Sequence, residues 1–476
     1  MRSLRRPCSW LALAFATATL VSAQPAPAPP PPLQLEPAAI ETFVTEQLAA
    51  KQLVGLSLAV VRDGTVVLAK GFGKRSLADG AAVTPDTRFA IGSITKQFTS
   101  ACILLLAEDG KLAVTDKVAR WYPGLTRAND ITLLDLMNHV SGYPDYYPLD
   151  FVDRPMQKAI AVDDLIQQFG TRPLDFEPGT CYSYSNTGFV ILGRVVEKVS
   201  GEPFGQFLER RILKPLGMTR TLFEPTGREP DLAQGYVTFV LGPPEVPVPE
   251  GKGWVAAAGA IWSTPSDLAK WDLALVDGKV LKPESFRLMA TPRTLAGGAS
   301  GGYGCGLAIS SRRGQTVLAH NGAVAGFYAL NSTVPATRSA VILFSNFDSY
   351  DAVDAVYSRL MAALLAIPPK TTTPAIAGPP PADAMKAMFL ALQAGKVDRA
   401  QLGEEFSVYL TDAKIRGASE RLKPYGEPTK VTVDSVAERG GMEVARVTFA
   451  FASGTLKGLM YRTPDGKVQQ FFVLAE

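Results

Sequence analysis

Ser93 and Lys96 are the first residues in this chain whose types and spacing suit catalysis. In Ser93-Ile94-Thr95-Lys96 the two side chains are three apart, so on a helix they share one face, with Cβ atoms about 5–6 Å from each other. A serine hydroxyl is a weak nucleophile until a neighbour takes its proton, and a lysine can do that only when neutral. Burial supplies the neutrality: an ammonium among apolar side chains loses hydration, and its pKa falls by up to about 3–5 units. Two further groups join the candidate set, Tyr184-Ser185-Asn186 and His320-Asn321-Gly322. Taken singly, each has a plain structural explanation. An S-x-x-K sequence arises by chance on the order of once or twice in a chain of this length, Tyr184 suits a buried aromatic, and Asn186 suits a helix N-cap.

The elements that must position these residues follow from hydrophobic periodicity. Ile94, Phe98, Cys102 and Leu105 recur at helical spacing up to Glu108, and Gly110 follows, so Ser93 is expected at the N-terminus of a buried helix. That position aims unpaired backbone N–H groups at any oxyanion formed on the serine. Upstream, residues 38–51 have an amphipathic helical pattern, and 56–61 with 65–70 read as a hairpin turning at Asp63-Gly64. Thr132 and Asp135 have capping-box spacing for a helix that ends near His139. Tyr143, Tyr146 and Tyr147 then lie in a Pro-interrupted loop, suited either to walling a cleft or to ordinary surface exposure. Helices are expected over 189–199, stopped by Gly201, over 204–212, and up to Leu275 behind a Thr264 cap. The Gly-rich stretch 296–304 lacks a G-K-[ST] partner and reads as a loop rather than a phosphate cradle. Strand patterns return at 306–310, 316–320, 328–334 and 340–345, before a helix over 352–366. Strands at both ends of the region with helices between them imply an antiparallel sheet built from the two ends and an inserted helical subdomain.

The 476 residues are 47% hydrophobic and 20% charged, a globular composition with length for more than one domain. Residues 1–23 combine Arg2, Arg5 and Arg6 with an apolar run from Trp10 to Leu20 and a small-residue Val21-Ser22-Ala23 site. This is the pattern of a secretory signal peptide, so the protein is expected to be exported to the periplasm or the exterior. The formal charge of +3 includes these three arginines and no acid, which leaves the mature chain neutral. Neutrality gives no electrostatic case for nucleic acid or an anionic membrane surface. No later run is long enough for a membrane helix, so stable membrane insertion is not expected. Cys102, Cys181 and Cys305 are scattered and the chain has only two histidines, so small buried thiols are expected and no metal site. Residues 24–37, with Pro29 to Pro32, and 367–381, with Pro379 to Pro381, read as Pro-rich linkers around a main domain at 38–366. Residues 382–476 read as a small α+β accessory domain, with helices at 384–392 and 413–422 and a four-stranded meander at 431–437, 443–451, 456–461 and 468–474. Nothing in it looks catalytic.

In chain order the three motifs resemble S-x-x-K, Y-x-N and K/H-x-G of the serine β-lactamase and penicillin-binding-protein superfamily. The likeness is closest to its class C β-lactamase, D-Ala-D-Ala carboxypeptidase and esterase branch. It covers about residues 38–366, including 132–142, 178–193, 215–218 and 258–268, and residues 382–476 fall outside it. The resemblance implies an α+β fold, an antiparallel sheet flanked by helices with an inserted helical subdomain. It also implies roles. Ser93 attacks a carbonyl and forms an acyl-enzyme, while Lys96, or Tyr184 as a phenolate, takes the proton. Tyr184 returns a proton to the leaving group, and Asn186 hydrogen-bonds Lys96 and the substrate. The backbone N–H groups of Ser93 and Ala323 form the oxyanion hole, with Gly322 permitting close approach.

His320 departs from the lysine usual in β-lactamases of this branch, and a neutral imidazole cannot supply lysine's fixed charge for a substrate carboxylate. The implied activity is therefore an esterase, amidase or D-amino-acid peptidase acting on a small molecule or peptide, without metal or organic cofactor. A β-lactamase or D-Ala-D-Ala carboxypeptidase ranks behind it. A penicillin- or cell-wall-peptide-binding sensor that hardly deacylates is a third reading, and an adhesive or structural role centred on residues 382–476 a fourth. His139 resembles the family's H-T-S-G-like segment and is expected to hydrogen-bond a helix end. The sequence leaves the oligomeric state open.

Overall fold

The computed structural model describes residues 33–147, 149, 151–238, 243–366, 376–439 and 442–475. The expected signal peptide and most of both linkers lie outside these residues. In chain order the first nine strands are β1 (Gly55–Arg62), β2 (Thr65–Gly73), β3 (Phe89–Ala90), β4 (Leu222–Phe223), β5 (Ile261–Ser263), β6 (Ala308–Arg312), β7 (Gln315–Val324), β8 (Phe327–Val334) and β9 (Ser339–Ser345). Six of them form one antiparallel sheet in the order β2-β1-β9-β8-β7-β6, so strands from both ends of the region meet at the β1–β9 pair. The three short strands form a second sheet, β3-β5-β4. This is the α+β architecture expected from the sequence.

Helices cover both faces of the large sheet, which is why β1 and β9 are continuous apolar runs instead of alternating ones. Ala59, Val61, Ile342 and Phe344 face the core that holds the Ser93 region. Leu58, Val60, Val341 and Leu343 face the other core, built with helices Pro37–Ala50 and Tyr350–Leu364. The β1–β2 hairpin turns through Asp63 and Gly64 at φ +51° and +76°, the two positive angles that a tight hairpin requires.

Between β2 and β6 the chain forms the helical subdomain. Its central helix, Thr95–Glu108, is buried from Thr95 to Leu106, and Gly110 follows at φ +70°. The Thr132 and Asp135 capping box is reciprocal and opens helix Leu133–Met137, and helix Asn186–Ser200 stops at Gly201 with φ +78°. The segment read as one helix over 204–212 is an α-helix, Phe204–Leu208, continued by a π turn, Glu209–Leu213. Pro37 and Pro381 open helices rather than close linkers, because a fixed φ and a missing N–H suit a first helical turn.

The C-terminal residues form a sheet of β10 (Lys430–Arg439), β11 (Met442–Phe451), β12 (Gly454–Arg462) and β13 (Val468–Ala475) in meander order. Helices Pro381–Ala394 and Asp412–Leu422 fall where expected, and a further helix, Glu404–Tyr409, was not foreseen. Met385, Phe389, Val447, Phe449 and Met460 form its core. Cys102 and Cys305 are buried thiols, whereas Cys181 is only half-buried. Among the described residues, no helix is long and apolar enough to cross a membrane.

Candidate active site

A 3-10 turn, Gly92–Ile94, runs into the Thr95–Glu108 helix and sets Ser93 one turn ahead of Lys96. Lys96 is fully buried, and its Nζ lies 3.0 Å from Ser93 Oγ, 2.7 Å from Asn186 Oδ1 and 2.9 Å from the Ala258 carbonyl oxygen. A neutral amine has two hydrogens and one lone pair. Asn186 Oδ1 and the Ala258 carbonyl can only accept, so they take the two hydrogens and the lone pair faces the Ser93 hydroxyl. Burial lowers the Lys96 pKa to about 7, with the Asp145 carboxylate pulling weakly the other way. The lysine thus has a substantial neutral fraction at neutral pH.

Asn186 is the first residue of helix Asn186–Ser200. Its backbone N–H and its Nδ2 both donate to Asp145 Oδ1, at 3.0 and 3.1 Å, which fixes the side-chain oxygen towards Lys96. An aspartate at that helix N-terminus also complements the helix dipole. The Tyr184 ring centroid lies 4.8 Å from Lys96 Nζ. Its hydroxyl is buried without a hydrogen-bond partner among the described residues. Burial pushes its pKa above that of an ordinary phenol, an effect the neighbouring Ser93 hydroxyl opposes. Burial thus favours the neutral phenol over the phenolate.

His139 sits at φ +58°, packs against Tyr184 with centroids 4.2 Å apart and the rings tilted by 32°, and accepts the Ser185 N–H on Nδ1 at 3.1 Å. It does hydrogen-bond a helix end, and that end is the N-cap of Asn186–Ser200. His320 on β7 also points into this aromatic cluster. Its Nε2 is 2.7 Å from the Tyr303 hydroxyl, and its Nδ1 contacts the Asn321 carbonyl. A carbonyl accepts only, so Nδ1 carries the proton and Nε2 accepts from Tyr303. Burial, then the charge of Lys96, hold the His320 pKa down to about 3. The K/H-x-G histidine is therefore neutral and lies behind the cleft wall.

Gly322 follows two residues on, where β7 meets the Ser93 turn. A Cβ added to it would lie 1.9 Å from the Ile91 carbonyl oxygen and 2.8 Å from Ser93 N. A Cβ on Gly92, at φ +48°, would lie 2.8 Å from Ala323 N. Only glycines allow the two backbones to come this close, and the approach brings the Ser93 and Ala323 amides to one place. Ser93, Tyr184, Asn186 and Ala323 line an open cleft of about 670 Å³. Tyr146 and Tyr147 line it too, whereas Tyr143 is buried and donates its hydroxyl to the Thr126 carbonyl.

Ser93, Lys96, Tyr184, Asn186, Gly322 and Ala323 come together here, His320 packs behind them, Tyr143 does not reach the cleft, and three contributors were missed. Asp145 had a signal, an aspartate inside the aromatic run Tyr143-Pro144-Asp145-Tyr146-Tyr147. Tyr303 lay in the stretch read only as a Gly-rich loop. The Ala258 carbonyl carries no side-chain signal. The arrangement can deprotonate Ser93, bind an oxyanion between two backbone amides and offer a phenol proton to a leaving group.

Fold and site together define a serine hydrolase of the β-lactamase and transpeptidase fold. Residues 40–366 match the Beta-lactamase family model, and the chain belongs to that family. PbpX of Bacillus subtilis (strain 168), which carries a penicillin-binding-protein name, is 32% identical over 306 residues, spanning 64% of this chain and 74% of PbpX. A D-aminopeptidase of Brucella canis is 31% identical over 335 residues. That match spans 68% of this chain and 62% of the aminopeptidase. Among solved structures, the D-amino acid amidase of Ochrobactrum anthropi SV3 superposes with a TM-score of 0.60 at 25% identity, covering 68% of this chain and 98% of the amidase. The octameric penicillin-binding protein homologue of Pyrococcus abyssi has a TM-score of 0.59 at 23% identity. It covers 92% of this chain, so its likeness of fold runs into the C-terminal residues that the motifs did not reach.

Proposed function

We propose that this protein is an exported hydrolase that cleaves an amide or ester of a small molecule or peptide through a Ser93 acyl-enzyme. The observation that carries this reading is the Lys96 amine, stripped of water and held 3.0 Å from Ser93 Oγ by two acceptors, Asn186 Oδ1 and the Ala258 carbonyl. In acylation, Ser93 Oγ attacks the carbonyl as its proton passes to Lys96 Nζ, and the oxyanion is bound by the Ser93 and Ala323 N–H groups. Tyr184 gives its proton to the departing nitrogen or oxygen, and the Lys96 ammonium re-protonates the phenolate. Deacylation repeats the sequence with water as the nucleophile, and Ser93 recovers its proton. Lys96 is the base in preference to Tyr184, because burial favours the neutral form of both groups, which leaves the lysine a free lone pair to accept a proton and the phenol a proton to give. Export rests on the signal-peptide pattern of residues 1–23.

The relatives named D-aminopeptidase and D-amino acid amidase favour amide substrates over β-lactams. So does His320, whose buried, neutral ring offers no charge to a carboxylate. The test is intact-mass analysis of the protein and its Ser93→Ala variant after exposure to a fluorophosphonate and, separately, to a penicillin. A fluorophosphonate adduct on the unsubstituted protein alone is expected, and no adduct on either would end the hydrolase reading. A penicillin adduct that persists for hours would favour the sensor reading.

A further inference from the structure

The cleft in front of Ser93 has an acidic lining. Among its described lining residues the charged ones are Asp145 and Asp348, and none is lysine, arginine or histidine. Asp145 is committed to Asn186. Asp348 is different. Its backbone is fixed, with its N–H donating to the Tyr236 carbonyl and its own carbonyl accepting from Tyr350 N–H. Burial raises the pKa of its carboxyl, which the backbone N–H groups of Thr238 and Asp348 oppose, while its Oδ1 is enclosed with no hydrogen-bond partner among the described residues. Leaving an enclosed carboxylate oxygen without a donor is unfavourable, and an ammonium satisfies it with both charge and a hydrogen bond. The same cleft exposes large apolar side chains, with Leu149, Phe151 and Val248 at 48%, 63% and 54% exposure. Exposed apolar groups gathered in one cleft are a surface for an apolar ligand.

We propose that Asp348 anchors a substrate ammonium group, so that the hydrolase acts on amides and esters bearing a free amine and an apolar side chain. The inference rests on the Ser93 acyl-enzyme reading and adds the substrate's charge and the residue that selects it. A carboxylate-bearing substrate, by contrast, meets like charge in this cleft.

The experiment compares kcat/KM for the p-nitroanilides of D- and L-phenylalanine with those of their N-acetyl derivatives, in the unsubstituted protein and in Asp348→Asn. The free amine is expected to be preferred by roughly 10- to 100-fold, mostly through KM, as one charge-assisted hydrogen bond supplies. In Asp348→Asn that ratio is expected to collapse towards one. Inhibition of the unsubstituted protein by phenethylamine, and not by phenethyl alcohol, tests the same anchor without a variant. Equal or faster hydrolysis of the N-acetyl compounds, or an unchanged ratio in Asp348→Asn, would overturn the proposal. Fluorophosphonate labelling of Ser93 keeps the two readings apart. Labelling without amine preference removes the anchor alone, and no labelling removes the hydrolase reading beneath it.

Discussion

Asp145 decides which end of the Asn186 amide faces Lys96. It takes Nδ2–H at 3.1 Å and so turns Oδ1 onto the lysine at 2.7 Å. Its carboxylate also raises the Lys96 pKa against burial. Asp145→Asn removes the charge and allows the Asn186 amide to rotate. The acid limb of the kcat/KM profile is expected to move to lower pH, and kcat/KM to fall by about 10-fold or more as the serine and lysine lose alignment. An unmoved acid limb would show that Asp145 does not act on Lys96.

Lys96 sets the pH dependence of both activity and stability. Acylation needs the neutral amine, so kcat/KM is expected to rise about tenfold per pH unit below pH 7 and to level above it. For stability the folded value of about 7 lies below the ordinary 10.5, so between them the unfolded chain binds a proton that the folded one does not. Stability therefore rises with pH across that interval. Below pH 7, His320 (about 3 against 6.5) and Asp272 (about 7 against 3.8) act in opposite directions over overlapping ranges. Above pH 9 the buried thiols Cys102 and Cys305, both pushed up, reverse the trend. The window that isolates Lys96 is pH 7 to 9, where urea denaturation is expected to show a gain of about 2 kcal/mol that Lys96→Met abolishes.

Gly322→Ala tests the close approach at the oxyanion site. The added methyl would meet the Ile91 carbonyl oxygen at 1.9 Å and push β7 away from the Ser93 turn. Ester hydrolysis is expected to fall by about 10²–10³, and the protein to lose about 1–3 kcal/mol of stability. A variant with full activity would mean that the Ala323 amide takes no part.

The parts that were legible in the sequence are those coded by neighbours in the chain. Ser93 and Lys96 lie on one turn, Thr132 and Asp135 close their own capping box, and Asp63-Gly64 forces its hairpin. The β1–β9 pairing was legible only as a class of sheet, because apolar runs state burial and not partners. Contacts between distant segments left weaker marks. Asp145 meets Asn186 across 41 positions, and the lysine's third partner is a backbone carbonyl 162 positions away, which any residue could supply. His320 was read as neutral, and burial favours that form. Its retreat behind the cleft depends on Tyr303, which nothing in the glycine-rich stretch distinguished.

Tyr184→Phe separates the two proton transfers. The phenol hydroxyl is buried beside Ser93, and burial, which raises its pKa, keeps it protonated. A departing amine must receive a proton, whereas p-nitrophenolate leaves without one. Loss of the hydroxyl is expected to slow hydrolysis of an amino-acid amide by about 10²–10⁴, the usual range for general acid catalysis, and to slow a p-nitrophenyl ester far less. If Tyr184 were instead the base that activates Ser93, amide and ester would slow together, because both begin with the same attack. Parallel kcat/KM measurements on the two substrates therefore distinguish an acid at Tyr184 from a base, with Lys96→Met as the comparison that should slow both.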